Sequence, residues 1–409
     1  MESTISVIAV AAVPAAPAVV VSPRSLAAAF SRIADPRRAR SVRYPLAALL
    51  SLAVAGILAN HCTVLAIAEW GARQSGDCLR RLGFADGCTP CQSTLQRLFC
   101  RLDGQALAEA LSAHFGPVVV PLPAMPGSQG VAIDGKAQRG RLPFQQGGSP
   151  VHMLSAYCHE HGVVLAQEPI ERGEEKSAAE LTVAPALIAR VAWPGRVLTG
   201  DALFCQRHLC QQVCAAGGDY VLLVKENQPT LYADLALLFD PPAALPALPL
   251  LDRREVRTVE RGHGRQQDTR HLVASTDLTA YLDWPCLAQV FRLERTWQEH
   301  GTARRELHYG ITSLPPAAGP PARLLSLKRA HWRIENGLHR VKDVTLGEDR
   351  STTHTGQGPT VLALLRDAAL NLLRRAGIHQ IAARLRAHSQ DPAAAIALVL
   401  AAPPPHPRA

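Results

Sequence analysis

Between Val131 and Lys225 short apolar runs and helical stretches follow one another in an order that leaves few folds open. Val131-Ala-Ile-Asp134, Val151 to Cys158 and Val163 to Ile170 read as strands, the last two joined by the turn His159-Glu-His-Gly162. A helix is expected over Ala178 to Val191, a strand over Arg196 to Asp201, a helix over Gln206 to Ala216 and a strand over Tyr220 to Lys225. Three strands in a meander, then helix, strand, helix, strand, build a mixed α/β sheet whose later strands run parallel through right-handed crossovers. Functional groups in such sheets gather at the carboxyl ends of strands. Asp134 and Asp201 fall there, closing the first and fourth strands.

The remainder of the chain frames this core. With 409 residues, 47% of them hydrophobic, there is material for further units. Residues 1–34 are an apolar leader interrupted by Pro14 and Pro17, with no Lys or Arg before Arg24, which does not fit a signal peptide. Residues 35–118 read as a helical block, with Pro45 opening a helix to about Leu58 and further helices over Val64 to Gln74, through Leu95, Leu98 and Phe99, and over Gln105 to His114. Its cations, Arg37, Arg38, Arg40, Arg43 and Arg97, fit a DNA-binding module of helix-turn-helix type or a basic packing or dimerisation domain. Gly116 to Gln129 is a Pro- and Gly-rich linker, and the core occupies 128–235. Residues 236–322 carry strand patterns at Val256 to Val259, Arg270 to Ala274, Ala288 to Leu293 and Leu307 to Thr312, an inserted β subdomain. Residues 323–402 return to the core with helices over Val361 to Arg374 and Ile381 to Ala387, before a Pro-rich tail. The longest apolar run, Leu46 to Ala59, is shorter than the ~20 residues a bilayer span needs, so it reads as a buried helix and no membrane segment is expected.

The segment Leu324 to Lys342 has the period of one helix, with Leu327, Ala330, Ile334, Leu338 and Val341 on one stripe. Lys328, His331, Glu335, His339 and Lys342 lie beside it, a single carboxylate among cations and imidazoles. Alone, this pattern equally describes a mixed polar surface, and Asp134 before Gly135 or Asp201 before Ala202 is equally a turn or capping acid. Together, acids from two strand ends and one helix can hold two divalent ions ~4 Å apart, Mg²⁺ or Mn²⁺, for in-line phosphoryl displacement. Lys136, Lys225 and Lys342 are then candidates for phosphates near the scissile bond, Asn227 and Gln228 for strand positioning, and His331, Arg333 and His339 for further DNA contact. A formal charge of +9, clustered at Arg37 to Arg43 and Arg323 to Arg350, favours a nucleic-acid partner. The ten cysteines have no framework spacing and read as reduced thiols of a cytosolic protein; Cys88-Thr-Pro-Cys91 lacks the second pair a zinc site requires.

The chain resembles the DDE transposases of bacterial insertion sequences, in particular the H-repeat-associated subgroup. The matching residues include Asp35-Pro-Arg-Arg38, Arg43-Tyr-Pro-Leu46, Ala132-Ile-Asp-Gly-Lys136, Thr199-Gly-Asp-Ala202 and Gly217-Gly-Asp-Tyr220. Val224-Lys-Glu-Asn-Gln-Pro-Thr230, Gly262-His-Gly-Arg265, Ile311-Thr-Ser-Leu314, His331-Trp-Arg-Ile-Glu-Asn336 and Asp343-Val-Thr-Leu-Gly-Glu-Asp349 complete the series. The resemblance implies a ribonuclease H-like core, a helical N-terminal associated domain, a β insertion before the last acid, and Asp134, Asp201 and Glu335 as a metal-binding triad. It further implies double-stranded DNA as partner, a homodimer in the active complex, and cytoplasmic, nucleoid-associated action. Lys328 and His331 stand where the related signature has Tyr and Arg, Glu226 stands where Gly is common, and Glu175 to Glu180 departs from the usual Lys-Ser/Thr-Asn-Glu run. Two rival readings share the same residues: a ribonuclease H-like nuclease without strand transfer, and a catalytically inactive DNA-binding descendant of a transposase.

Overall fold

The computed structural model describes residues 25–116, 129–138, 152–170, 176–244, 250–261, 267–299 and 302–401. Most of the leader, the body of the linker, Glu175, Gly262-His-Gly-Arg265 and the tail from Pro403 lie outside the described residues. Ahead of the sheet come helices α1 (Leu26–Phe30), α2 (Leu46–Leu58), α3 (Val64–Ala72), α4 (Gly76–Arg81), α5 (Gln92–Arg101) and α6 (Gly104–Phe115). In α2 every residue except Ala47 is buried, because its apolar residues leave no polar face to turn outward. No described helix is long and apolar enough to cross a membrane. The Asp103 carboxylate caps α6 by accepting from the N–H groups of Gln105 and Ala106. These helices share one continuous apolar core with the sheet, so the helical block is packed onto the rest of the chain and not tethered beside it.

The sheet begins as expected. β1 (Gln129–Ala137), β2 (His152–Cys158) and β3 (Val164–Ile170) form an antiparallel meander. Then α7 (Lys176–Ala189) leads to β4 (Arg196–Gly200), and α8 (Arg207–Ala215) to β5 (Asp219–Val224), with β1, β4 and β5 parallel. Beyond α9 (Pro229–Phe239), which the sequence reading did not anticipate, come β6 (Arg254–Arg261), β7 (Gln267–Ser275), β8 (Gln289–Glu299) and β9 (Thr302–Thr312). They do not make a separate β subdomain. The single nine-stranded sheet runs β3-β2-β1-β4-β5-β9-β8-β7-β6, with β9 antiparallel to β5. Hydrogen-bonding of β9 to β5 covers an edge the core would otherwise expose.

The closing helical run starts with α10 (Pro321–His331), which lays Leu324, Leu325 and Leu327 on Val197, Val221 and Leu223 of the core strands and on Leu272, Phe291 and Leu293 of the inserted ones. After a turn at Trp332 the run continues, but as π-type turns over Glu335–His339 and Val341–Thr345, not as one regular α-helix. Arg340 N–H donates to the Glu335 carbonyl and Leu346 N–H to that of Val341, five residues back. The wider register turns Leu338, His339 and Lys342 inward together. α11 (Gly358–Arg375), buried through Leu373, α12 (Ile381–Gln390) and an unanticipated α13 (Pro392–Leu400) complete the core.

Candidate active site

β1 and β4 pair in parallel only as far as Ala132 and Thr199. Two residues further along each chain stand Asp134 and Asp201, so the register puts both acids at one level, where the strands part. β1 does not end at Asp134 as expected. It runs on to Ala137 beside β2, while the chain after β4 turns into a 3-10 turn over Ala202–Phe204. The resulting gap is a switch point of the kind where α/β sheets place their sites.

Asp134 is held as a carboxylate. Its Oδ1 accepts from the Gly135 N–H at 2.9 Å, and its Oδ2 lies 3.2 Å from His339 Nε2. Burial pushes its pKa up, but the hydrogen bond and charge of His339, with His331 beyond, outweigh burial and hold it below the ordinary carboxylate value. A Cβ at Gly135 would fall 2.0 Å from Oε1 of buried Glu180 on α7, so a side chain there requires that carboxylate to move. Glu335 faces outward from the first π-type turn, and its partner four residues on, His339, faces Asp134. One ligand atom from each of Asp134, Glu335 and His339 lies within 4.8 Å of the others. Two carboxylates with an imidazole suit a divalent cation, and the hard oxygens fit Mg²⁺ or Mn²⁺. Asp201 is outside this tight group. It is 71% exposed on the same cleft, its Oδ1 3.9 Å from His331 Nε2.

His331 is fixed from behind. Its Nδ1 lies 3.3 Å from Thr199 Oγ1, which lies 3.0 Å from His159 Nε2. Burial pulls His331 down to about 4 and His159 to about 3, so both rings are neutral near pH 7. The acids open into a cleft of about 790 Å³ whose walls include Lys225 and Lys328. The inserted strands add Arg270, Arg295, Glu306 and His308 to its lining. These residues were missed from the sequence, where nothing in their local pattern tied strands so far along the chain from Asp201 to the same cleft.

Other expected contacts lie elsewhere. Lys136 Nζ is 2.6 Å from Asp343 Oδ1 and only 10% exposed. Lys342 is buried, with Nζ 2.8 Å from Asp367 Oδ2 and 3.4 Å from Glu348 Oε1, so it faces the interior and not a phosphate. Asn227 Nδ2 donates to the Ala202 carbonyl and Gln228 Nε2 to that of Cys205, bracing the turn after Asp201. Arg333 Nη1 donates to the His159 carbonyl. His339 stands against Asp134, and Lys225 and His331 line the cleft.

Residues 125–372 match the family described as Transposase DDE domain, and residues 27–115 the one described as DDE_Tnp_1-associated. The chain belongs to the DDE-domain transposases. It is 27% identical over 359 residues to "Putative transposase YncI" of Escherichia coli O157:H7, covering 86% of this chain and 87% of that protein. To "H repeat-associated putative transposase YhhI" of Escherichia coli K12 it is 28% identical, over 59% of this chain and 63% of that one. A solved piggyBac transposase synaptic complex with hairpin DNA covers 94% of this chain and 80% of its own at 12% identity and a TM-score of 0.36, too low to bear on the fold. In this DDE-domain transposase the family match spans both the sheet and the helical run that carries Glu335.

Proposed function

We propose that the protein is a DNA transposase that cleaves the ends of its insertion sequence and joins them to target DNA, with Asp134, Asp201 and Glu335 as the metal-binding acids. The observation that carries this reading is the convergence of Asp134 and Glu335 within 4.8 Å, with Asp201 at the same level of the sheet on one cation-walled cleft. The order β3-β2-β1-β4-β5 with its two antiparallel and two parallel pairings supports reading the core as ribonuclease H-like. When bound, a pair of Mg²⁺ or Mn²⁺ ions supplies the clamp on attacking and leaving oxygens of an in-line displacement.

The chain's own residues prepare that chemistry. His339 and the Gly135 N–H keep Asp134 ionised and ready to ligate. Neutral His331, tethered through Thr199, adds no charge beside Asp201. Lys225 and Lys328 offer cations to a phosphodiester strand in the cleft, with Arg270 and Arg295, both paired to Asp268, beside them. Action as a homodimer on paired ends, near the nucleoid in the cytoplasm, belongs to the same reading. The test uses a plasmid carrying the gene's own flanking DNA, purified protein and Mg²⁺. Breaks at the element boundaries with new joints are expected from the wild type and not from Glu335→Gln, Asp134→Asn or Asp201→Asn, all three still binding DNA. Breaks that persist in any one variant remove that residue from the set, and breaks without joints point to a nuclease.

A further inference from the structure

Asp134 lies on a part of β1 that has a strand on one side only. The pairing with β4 stops at Ala132, so from Ile133 to Ala137 β1 is paired with β2 alone. Lys136 stands two residues beyond Asp134 and therefore on the same face of the strand. Side chains of the π-type run reach both positions. His339 Nε2 lies 3.2 Å from Asp134 Oδ2, and the Asp343 carboxylate takes the Lys136 ammonium at 2.6 Å on Oδ1 and 2.8 Å on Oδ2. Lys342, one residue earlier in the run, grips the other way, onto Asp367 of α11 at 2.8 Å. The buried Glu348 carboxylate sits between the two ammoniums, Oε2 4.0 Å from Lys136 and Oε1 3.4 Å from Lys342. The run that bears Glu335 is thereby moored at once to α11 and to the one-sided end of β1. Lys136 is largely buried, so its pair escapes the solvent screening that makes exposed pairs weak.

We propose that Lys136 is a positioning residue for the metal cluster: through Asp343 it holds the Glu335-bearing run at the distance from β1 at which Asp134 and Glu335 share an ion. The proposal rests on the reading of those two acids as metal ligands. Mg²⁺ takes its oxygens at about 2.0–2.1 Å in near-octahedral geometry, so a run free to drift from β1 loses the carboxylate that completes the site. His339 also ties the run to β1, but it does so on Asp134 itself. The Lys136–Asp343 pair holds the same two elements together without occupying a ligand. Charge alone argues the opposite way, since deleting an ammonium near two acids tightens their hold on a cation. The sign of the effect therefore separates positioning from electrostatics.

The experiment measures Mn²⁺ binding to the full chain without DNA, from the loss of the free-ion electron paramagnetic resonance signal, with denaturant unfolding run beside it. The variants are Lys136→Met, the charge-neutral pair Lys136→Met with Asp343→Asn, and the exchanged pair Lys136→Asp with Asp343→Lys. Asp134→Asn identifies the ion of the cluster, whose binding it should abolish. Lys136→Met and the charge-neutral pair should each weaken Mn²⁺ binding about tenfold, the lower end of what losing a support behind a ligand set costs. The exchanged pair should recover most of that loss. Unchanged or tighter Mn²⁺ binding in Lys136→Met, whatever happens to its stability, overturns the positioning role and leaves the metal reading standing. An exchanged pair as weak as the charge-neutral one assigns the effect to general loosening of the fold and overturns it too. The charge-neutral pair strands no buried charge, so it carries the same comparison if Lys136→Met fails to fold. Wild-type Mn²⁺ binding that is absent, or that Asp134→Asn leaves untouched, overturns the metal reading and the proposal together.

Discussion

Replacing Lys342 by Met separates the sequence reading of that residue from the structural one. Its ammonium is buried and shared by Asp367 at 2.8 Å and Glu348 at 3.4 Å. Burial pulls the Lys342 pKa down, yet the two acids outweigh it and leave it raised. Without the ammonium, Asp367 keeps Gln167 Nε2 at 2.5 Å, and Glu348 keeps Arg366 at 3.7 Å and Lys136 at 4.0 Å. Removing one partner of a buried ion pair costs about 3–5 kcal/mol, because the other charge stays desolvated. Denaturant titration at pH 7 should show that loss for Lys342→Met, and Asp367→Asn in the same chain should restore part of it. The penalty should shrink on acidification. Burial already raises the Asp367 pKa, and a group raised in the folded state favours folding at low pH, losing that contribution as pH climbs from the unfolded value through the folded one. Loss of Lys342 raises it further, so a protonated Asp367 becomes tolerable first. A cost below about 1 kcal/mol, the scale of an exposed pair, would refute the burial argument. Lost DNA affinity at full stability would restore the phosphate contact read from the sequence.

Two further expectations concern stability. Gly310→Ala places a Cβ 2.1 Å from Phe291 Cζ and 2.7 Å from the Leu222 carbonyl, at the seam between β5, β9 and β8, and should cost about 1–3 kcal/mol in thermal or denaturant unfolding. Wild-type stability in that variant would mean the inserted strands sit more loosely on β5 than described. Burial lowers the His159 pKa to about 3, so stability is fully present above the unfolded value of ~6.5 and is lost as pH falls from there, at up to about 1.4 kcal/mol per pH unit. His159→Gln should flatten that slope in denaturation midpoints measured from pH 7 to 4; an unchanged slope would assign it to other groups.

The succession of core strands was legible because each is an apolar run bounded by turn residues, and the connections between them marked a meander followed by parallel strands; that β4 pairs with β1 came from the structure. The carboxylates were legible for the same reason: Asp134 and Asp201 follow runs whose pairing register sets them level. What failed was the helix phase beyond His331. Apolar spacing of three and four describes an α-helix, and backbone bonds five residues apart carry no side-chain signature. Hence Lys342 was set beside Glu335 as a candidate phosphate contact when it is buried on Asp367, and His339 was read as a DNA contact when it stands against Asp134. The partners of Lys342 lie on α11 and in the 3-10 turn at Glu348–Arg350, contacts that no local pattern announces. The inserted strands were found singly, but their joining of the same sheet depends on an edge pairing between residues about 90 positions apart.

α10 rests at once on strands from before and after α9. Its leucines therefore cannot find their seat until both halves of the sheet exist, although α10 is made after all nine strands. A ribosome releasing this chain exposes β5 with an open edge until β9 arrives, and then an uncovered apolar face until α10 does. The acid on the run that follows, Glu335, reaches Asp134 only when that seating is complete. Assembly order thus governs the cluster itself: a chain cut before the π-type run keeps Asp134 but has neither Glu335 nor His339 to set beside it.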